Sequence, residues 1–432
     1  YYDAIENMDA QVGKTLAELK KAGLAEDTIV IFNSDHGGVM PRSKRFLFDS
    51  GLHAPLIIRI PEKYKSLWPA ERPGMTVDRL VSFLDMPKTW LSLCGAKVPA
   101  VMQGRIFLGA GVEPEPQYVF SFRGRMDERF DNQRAVRDKR FAYIKNYMPY
   151  VAWGQHLDYL WKLVAMRVWE DAYKHHRTNE ITGRFFELKP VEELYDMEAD
   201  PDNVVNLAAR PEYQSTLQTM RAKLREWQLS VHDSGLLPEN ERQRRAAENK
   251  TTVYEMALNP KLYDLPAYLD ASDIALAAKP SDTAKLIEFL KSKDSAIRYW
   301  GAVGLLMAGK ANASAQSALE SVLDDPCGEV RAMAAWVLIE SGNPEKARQA
   351  LAGILRNHEP TTLMALNVLD WMHTDITPFI PAMNSLDPKA GEMAGNEQLM
   401  VEYLRASHGL PVPAVTEDAS KAQKVKSKKD DM

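Results

Sequence analysis

Cysteine is scarce in this sequence: the 432 residues include two, Cys94 and Cys327. Two thiols in a chain of this length exclude the disulfide framework of a small secreted domain, and neither lies in a spacing typical of a metal or redox site. A long apolar run is also missing. No stretch of about 18 apolar residues occurs, so we predict no membrane-spanning helix.

An excess of charge of one sign is missing as well. The chain has 54 Lys and Arg against 59 Asp and Glu, a formal net charge of -5. Because nucleic acid is bound mainly through clustered positive charge, this balance predicts no nucleic-acid partner. The hydrophobic fraction of 45% is that of a folded protein, and the length is enough for two or three domains.

The sequence begins at Tyr1 and has no signal peptide in front of its first helical pattern. We therefore expect further coding sequence upstream, and the compartment cannot be inferred from this end of the chain.

The first 60 residues have the pattern of an α/β fold. Apolar residues recur at helical spacing up to Gly23, which predicts one helix with a buried stripe. The apolar run TIVIF at 28–32 suits a strand covered on both faces, and PLIIRIP at 55–61 suits a second strand. Short strand-like runs over 117–148 then predict a small antiparallel sheet.

The C-terminal part contains an internal repeat. DSAIRYWGAVGLLMAG begins at Asp294, CGEVRAMAAWVLIESG begins at Cys327, and Arg298 aligns with Arg331 at a period of 33 residues. A weaker third copy covers 359–372. Paired helices at such a period indicate an α-solenoid that resembles HEAT repeats.

These patterns define five segments. We predict half of an α/β catalytic domain at 1–115, a C-terminal subdomain at 116–240, a linker at 241–280, helical repeats at 281–410 and a disordered tail at 411–432. The predicted fold class is thus a mixed central sheet flanked by helices, a small antiparallel sheet, and an α-helical repeat domain.

A candidate site follows the TIVIF strand. Asp35 and His36 lie just past its carboxyl end, which is where open α/β sheets bind ligands. A carboxylate and an imidazole on adjacent residues can share one cation, and Gly37 and Gly38 allow a tight turn around it. Lys44 follows and can contact an anionic oxygen. A plain turn built from SDHG is the competing interpretation.

The order of residues around this turn resembles a sulfatase, a family of the alkaline-phosphatase superfamily. The similar stretches are the first 38 residues, FLFDSGLHAPLIIR, the helix-like region around Cys94, and KPVEELYDMEADPDNVVNLA at 189–208. The family positions matched in order are Asp35, His36, Lys44, Phe48, Asp49, Gly51 and Pro55. The resemblance covers residues 1–240 and implies an alkaline-phosphatase-like fold.

The resemblance implies roles for particular residues. Asp35 and His36 complete a calcium site, although a histidine ligand leaves Mn²⁺ or Zn²⁺ open. Lys44 bridges the sulfate and the leaving oxygen, and His53 on the same loop is a second catalytic candidate. In the segment RGRMDERFDNQRAVRDKR at 123–140, Arg123 and Arg125 are candidates for binding the anionic substrate, against the alternative of a solvated strand face with surface ion pairs.

The family's nucleophile is a formylglycine made within Cys/Ser-X-Pro-X-Arg, and no such motif occurs in this sequence. We therefore predict that this chain alone does not turn over a sulfate ester. The resemblance implies a parent enzyme that hydrolyses a sulfate ester or sulfamate on a sulfated carbohydrate or another anionic ester. It also implies a periplasmic or extracellular location.

Two alternatives remain open at this stage. The Asp-His pair equally suits a phosphate or phosphonate ester hydrolase of the same superfamily, which the identity of the nucleophile would distinguish. The other alternative is a non-catalytic interaction protein in which the repeats bind a protein partner. A basic or aromatic stripe along the concave face of the repeats would favour it.

Overall fold

The computed structural model describes residues 2–309, 311–387 and 389–412. The chain forms two compact units that interleave along the sequence. The first contains residues up to 123, 134–145 and 192–224, and the second contains 124–133, 146–191 and the chain from 225 onward. Neither unit is continuous in sequence, so the five predicted segments do not coincide with them.

The first unit begins with helix α1 (Tyr2–Lys21). Gly23, which the sequence predicts as the helix stop, follows two residues later with a positive φ of 74°. The predicted burial of its apolar stripe is not observed. No residue of α1 is buried, and Ile5, Met8 and Leu16 are each more than 40% exposed. The spacing therefore sets which residues share a face, but nothing among the described residues covers that face.

Strands β1 (Val30–Asn33) and β2 (Leu56–Arg59) form an antiparallel pair in which Val30 lies opposite Arg59. The short helix α2 (Asp49–Leu52) lies between them in sequence, and helix α3 (Asp85–Leu93) follows. Within the described part of the chain, this pair is the portion of the predicted central sheet that is present.

The predicted small sheet of the first unit has four strands in the order β3 (Val119–Arg123), β4 (Gln133–Arg137), β5 (Phe141–Asn146) and β6 (Glu192–Asp196). Strands β5 and β6 are antiparallel, with Tyr143 opposite Leu194, and both side chains are fully buried. Helix α7 (Gln214–Ser230) begins in this unit and ends in the second.

The second unit is helical. Its helices before the repeats are α4 (Asp158–Trp161), α5 (Val164–Lys174), α6 (Glu180–Gly183), α8 (Glu239–Glu248), α9 (Val253–Leu258) and α10 (Leu265–Ala277). The repeat helices are α11 (Thr283–Phe289), α12 (Ser295–Met307), α13 (Ala313–Glu320), α14 (Gly328–Glu340), α15 (Pro344–Arg356), α16 (Thr362–Trp371), α17 (Ile380–Asn384) and α18 (Ala394–Ser407).

The predicted repeat period appears directly in the helix starts. Helix α12 begins at Ser295 and α14 begins at Gly328, which is the 33-residue offset of the sequence. Helices α10, α12, α14, α16 and α18 contact one another in that order and form one layer. Small residues allow this close packing, since a side chain at Gly304 would overlap Leu286 of α11.

Residues 241–280 differ from the expected linker. They contain most of α8 together with α9 and α10, and they pack into the helical core. Arg245 of α8 donates to the Asp294 carboxylate at 3.0 Å and to the hydroxyl of Tyr268 at 2.8 Å. Arg245 thus pairs with Asp294, the residue before repeat helix α12, and the segment is part of the helical core.

None of the helices among the described residues combines the length and apolar composition that crossing a bilayer requires. Of the tail predicted to be disordered, residues 413–432 lie outside the described residues.

The second unit contains a histidine whose protonation opposes folding. His156 stacks on Tyr403 at 4.2 Å between ring centroids and lies 4.8 Å from Trp161. Burial, reinforced by the positive charge of Arg129, lowers the pKa of His156 to about 4. Between pH 6.5 and 4 the unfolded chain therefore binds a proton at this ring that the folded chain does not, which makes folding less favourable as the pH falls.

We predict that the free energy of unfolding of the native chain falls relative to that of His156→Phe when the pH is lowered from 7 to 4. The expected relative change is up to ~3 kcal/mol, because one pKa unit corresponds to ~1.4 kcal/mol. Urea denaturation at four pH values measures it. Val168→Ala, at an exposed side chain that does not titrate, is the control and should run parallel to the native chain. A His156→Phe curve that is also parallel would contradict the prediction.

Candidate functional site

The candidate site is built on the loop between β1 and β2, residues 34–55. Three backbone hydrogen bonds close this loop on itself: Ser34 N–H to Pro55 C=O at 3.3 Å, Gly37 N–H to Gly51 C=O at 3.1 Å, and Lys44 N–H to Gly38 C=O at 3.2 Å. The last bond brings the backbone of Lys44 beside the turn that contains His36. The loop therefore has a fixed conformation rather than that of a free surface connection.

An apolar anchor holds the middle of the loop. Phe46, Leu47 and Phe48 are consecutive residues with exposed fractions of 2%, 7% and 5%. Phe48 meets Tyr195 of β6 edge to face, with ring centroids 6.4 Å apart. Three large side chains buried together remove most of the freedom that a loop of this length would otherwise have.

A polar anchor holds the loop to the turn after β6. The Arg42 guanidinium lies 4.3 Å from the centroid of the Phe48 ring and donates to the carbonyl groups of Asp202 and Asn203 at 3.2 and 3.1 Å. Burial lowers the pKa of Arg42, although nearby acidic groups oppose this shift. In return, Asn203 Oδ1 accepts a hydrogen bond from Asp49 N–H at 2.8 Å.

Asp35 and His36 are brought together as the sequence predicts. Asp35 Oδ2 lies 3.3 Å from His36 Nε2, and the Asp35 side chain is 82% exposed. His36 Nδ1 lies 2.5 Å from the carbonyl of Gly37, which can only accept, so Nδ1 holds a proton. In the neutral ring Nε2 then presents a lone pair toward a carboxylate oxygen. Such an arrangement is favourable when a cation, or a second ring proton, lies between the two atoms.

His53 is oriented by a carboxylate. Its Nδ1 lies 3.1 Å from Asp49 Oδ2, and its side chain is 72% exposed. The other oxygen of Asp49 accepts from Arg137 Nη1 of β4, and the Asp49 side chain is only 16% exposed. His53 therefore has a fixed ring orientation and an accessible edge, as a catalytic or substrate-contacting imidazole requires.

The two candidate substrate arginines have different surroundings. Arg123 at the end of β3 is 6% exposed, and its guanidinium lies 4.7 Å from the ring centroid of Phe46 on the site loop. Arg125 belongs to the second unit, where its Nε donates to both oxygens of Glu239 at 2.8 and 2.7 Å. Their roles in substrate binding stay predictions, and for Arg125 an anionic substrate would have to compete with Glu239.

The described residues contain no group of three or more His, Cys, Asp and Glu side chains arranged to hold a metal ion. Asp35 and His36 are thus two donors that fit a divalent cation only together with further ligands, because cations such as calcium take six or more. The assignment of Asp35 and His36 as metal ligands stays a prediction.

Sequence reasoning missed the residues that support the site. Arg42, Asn203 and Arg137 had no assigned role, and Asp49 was noted only as part of a matching motif. Asn203 lies within the segment ADPDN, whose resemblance to sulfatases was the one signal that could have connected it to the loop.

Comparisons with known proteins find similar sequences for two parts of the chain. The sulfatase family model matches residues 1–96, and the HEAT-repeat model matches residues 283–369. An ulvan-active sulfatase of Formosa agariphila is 40% identical over 241 residues, which is 56% of this chain and 39% of the relative. The human N-sulphoglucosamine sulphohydrolase is 28% identical over 249 residues, 54% of this chain and 47% of the relative.

Among solved structures, BT4656 in complex with its substrate D-glucosamine-2-N,6-O-disulfate covers 53% of this chain and 40% of its own, with a TM-score of 0.36 and 22% identity. The phosphonate monoester hydrolase of Agrobacterium radiobacter covers 51% of this chain and 43% of its own, with a TM-score of 0.34 and 22% identity. The matching part of this chain spans less than half the length of each of these relatives.

The site loop crosses itself where Gly37 N–H bonds the carbonyl of Gly51, and this crossing leaves little space for a side chain. A Cβ at position 37 would overlap the Ser50 carbonyl oxygen and Ser43 Oγ, so we predict that Gly37→Ala destabilises the chain by ~1–3 kcal/mol, the usual cost of overpacking. Chemical denaturation measures the change.

Gly13→Ala is the matched control. A Cβ at position 13 of α1 meets no atom within 4 Å, so that variant should gain ~0.5–1 kcal/mol through its better helix propensity. If the two variants were equally stable, a Cβ at position 37 would have room at the crossing, which would contradict the prediction.

Proposed function

We propose that this chain supplies part of the active site of a sulfuric ester hydrolase whose substrate is a sulfated carbohydrate. Support comes from the sulfatase match of residues 1–96 and from relatives named as ulvan-active and N-sulphoglucosamine enzymes. Hydrolysis of a sulfamate in place of a sulfate ester fits the same site. Export to the periplasm or to the extracellular space is part of this proposal.

The observation that carries the proposal is the facing pair of Asp35 Oδ2 and His36 Nε2 at 3.3 Å on a loop closed by its own hydrogen bonds. Two lone-pair donors that face each other on one exposed turn can share a cation. A plain SDHG turn does not require the ring nitrogen to face the carboxylate.

A divalent cation, when bound by Asp35 and His36 with further ligands, would neutralise negative charge on sulfate oxygens. The chain's own residues account for the remaining roles. Lys44, whose backbone is bonded to Gly38 beside the turn, would contact a sulfate oxygen and stabilise the charge that develops on the leaving oxygen. His53, held by Asp49, would bind a substrate hydroxyl or move a proton at its exposed ring edge.

The nucleophile has to come from residues that are not in this sequence, since no Cys/Ser-X-Pro-X-Arg occurs in it. A formylglycine made from such a motif would supply the group that attacks sulfur. The proposal therefore concerns one part of an active site. This chain contributes the groups that stabilise charge and contact the substrate.

Metal binding tests the first half of the proposal without any turnover. We predict that Ca²⁺ titrated into this chain binds with a dissociation constant of ~1 mM or weaker, since two ligands define an incomplete site. Asp35→Asn and His36→Ala should each abolish the calorimetric signal. Parallel titrations with Mn²⁺ and Zn²⁺ identify the preferred ion.

The matched control for the titration is His175→Ala, which removes the ring from another exposed Asp-His pair, with Asp171, at 3.1 Å. It should leave binding unchanged. Binding that survives Asp35→Asn would place the cation elsewhere and remove the main support for the site.

Activity tests the second half. The 432-residue chain alone should not hydrolyse an aryl sulfate, whereas a form extended by a sulfatase segment with Cys/Ser-X-Pro-X-Arg should. In that form we predict that Lys44→Ala lowers kcat by ~100-fold or more, as expected for loss of a charge-stabilising group. Lys63→Ala, at an exposed pair with Asp27, is the control. Turnover by the unextended chain would refute the need for that nucleophile.

A further inference from the structure

The connection between β3 and β4 has a polar sequence and is nevertheless buried. Its residues 128–133 read ERFDNQ, and the exposed fractions are 3% for Glu128, 1% for Arg129, 1% for Asp131, 7% for Asn132 and 2% for Gln133. Burying such groups costs several kcal/mol each unless they are paired, according to transfer and mutational data. Their partners therefore identify the residues against which this segment packs.

Arg129 has its partners on the repeat helices. Its Nη1 donates to Asp370 Oδ2 at 2.7 Å and to Asn367 Oδ1 at 3.2 Å, both on α16. Its guanidinium lies 5.0 Å from the ring centroid of Tyr403 on α18, and its Nε donates to the carbonyl of His156 at 2.6 Å. One buried cation thus connects the segment to two repeat helices.

The repeat helices also bond the backbone of the segment. Asn367 Nδ2 donates to the carbonyl of Glu128 at 2.9 Å. Trp371 Nε1 donates to Gln155 Oε1 at 3.0 Å, and Gln155 Nε2 donates in turn to the carbonyl of Phe130 at 3.0 Å. Bonds to main-chain groups fix the path of the chain as well as its side chains.

The remaining polar groups are paired within the same unit. Asp131 forms an ion pair with Lys189 at 3.2 Å in which neither side chain is more than 1% exposed. Asn132 Nδ2 donates to the carbonyl of Gly235 at 2.7 Å. A network in which each buried charge has a specific partner disfavours other arrangements of the segment.

Arg125, at the start of the same connection, is also held through the repeats. Its partner Glu239 is the first residue of α8. The next residue, Asn240, donates from both its backbone N–H and its Nδ2 to Glu329 Oε1 of α14, at 2.9 and 3.0 Å. The carboxyl of Glu329 is buried, which raises its pKa. Helix α14 therefore fixes the residue that orients Arg125.

The aromatic residues of the repeats are covered by the same chain. Trp300 and Trp336 meet Tyr147 and Tyr150 edge to face, with centroids 6.1 and 5.5 Å apart. Trp300 Nε1 also donates to the carbonyl of Leu236 at 3.0 Å. Both tryptophans are buried, at 1% and 3% exposed, and their partners are residues of their own chain.

We infer that the HEAT-like repeats are a positioning module for residues 124–133, and that Arg129 is the positioning residue through which α16 and α18 hold them. The inference argues against a second protein on the aromatic face, since that protein would have to displace residues 147–150 and 236. This positioning does not depend on the proposed function.

Hydrogen–deuterium exchange on the full chain tests the inference and needs no turnover, so its failure is distinct from that of the proposed function. Asp370→Asn weakens the partner of Arg129 while keeping its shape. We expect amides of residues 126–133 to exchange ~10-fold faster or more, because local opening becomes easier, while those of α12 and α14 stay unchanged. Arg129→Lys, which keeps the charge with fewer donors, should give an intermediate rate and covers the case in which Asp370→Asn does not fold.

Lys346→Ala is the control, since it removes a 2.7 Å ion pair with Glu320 from the exposed surface of α15. It should leave exchange in residues 126–133 unchanged. Unaltered exchange of this segment in both folded test variants would overturn the inference. Equal acceleration throughout the second unit would also overturn it, because Arg129 and Asp370 would then be general stabilising residues.

Discussion

The packing of the second unit depends on partners for the buried guanidinium of Arg129. A guanidinium that is 1% exposed needs nearby acceptors. Asp370 and Asn367 accept from Nη1 of Arg129, His156 accepts from its Nε, and the Tyr403 ring lies beside it. These partners come from two repeat helices and from the segment before α4. Their convergence on one side chain explains why the β3–β4 connection, the region after β5 and the repeats form one compact unit.

The site loop of the first unit meets a different constraint. Its backbone crosses itself at Gly37 and Gly51, where a Cβ would overlap neighbouring oxygen atoms. Burial of the Phe46–Phe48 run and the bonds from Arg42 then fix the loop against the turn after β6. Asp35 and His36 can remain exposed and still face each other because the residues after them are so closely held.

The repeats contact residues of their own chain, which their sequence alone did not suggest. Solenoid repeats often present a free concave surface to another protein. Here the aromatic side chains of α12, α14 and α16 pack on Tyr147 and Tyr150 and bond Leu236 and Gln155, so the repeats bind their own chain. The residues that the repeats bind belong to the same compact unit as the repeats themselves.

The sequence by itself determined the extent of α1, the 33-residue repeat, the small sheet and the order Asp35, His36 and Lys44, because these follow from local spacing and motif order. Only the tertiary structure decided that the α1 stripe is uncovered, that 241–280 is packed helix, and that ERFDNQ is buried. Burial depends on residues far apart in the chain: a charged segment looks like a solvated loop until Asp370, more than two hundred residues away, provides its partner.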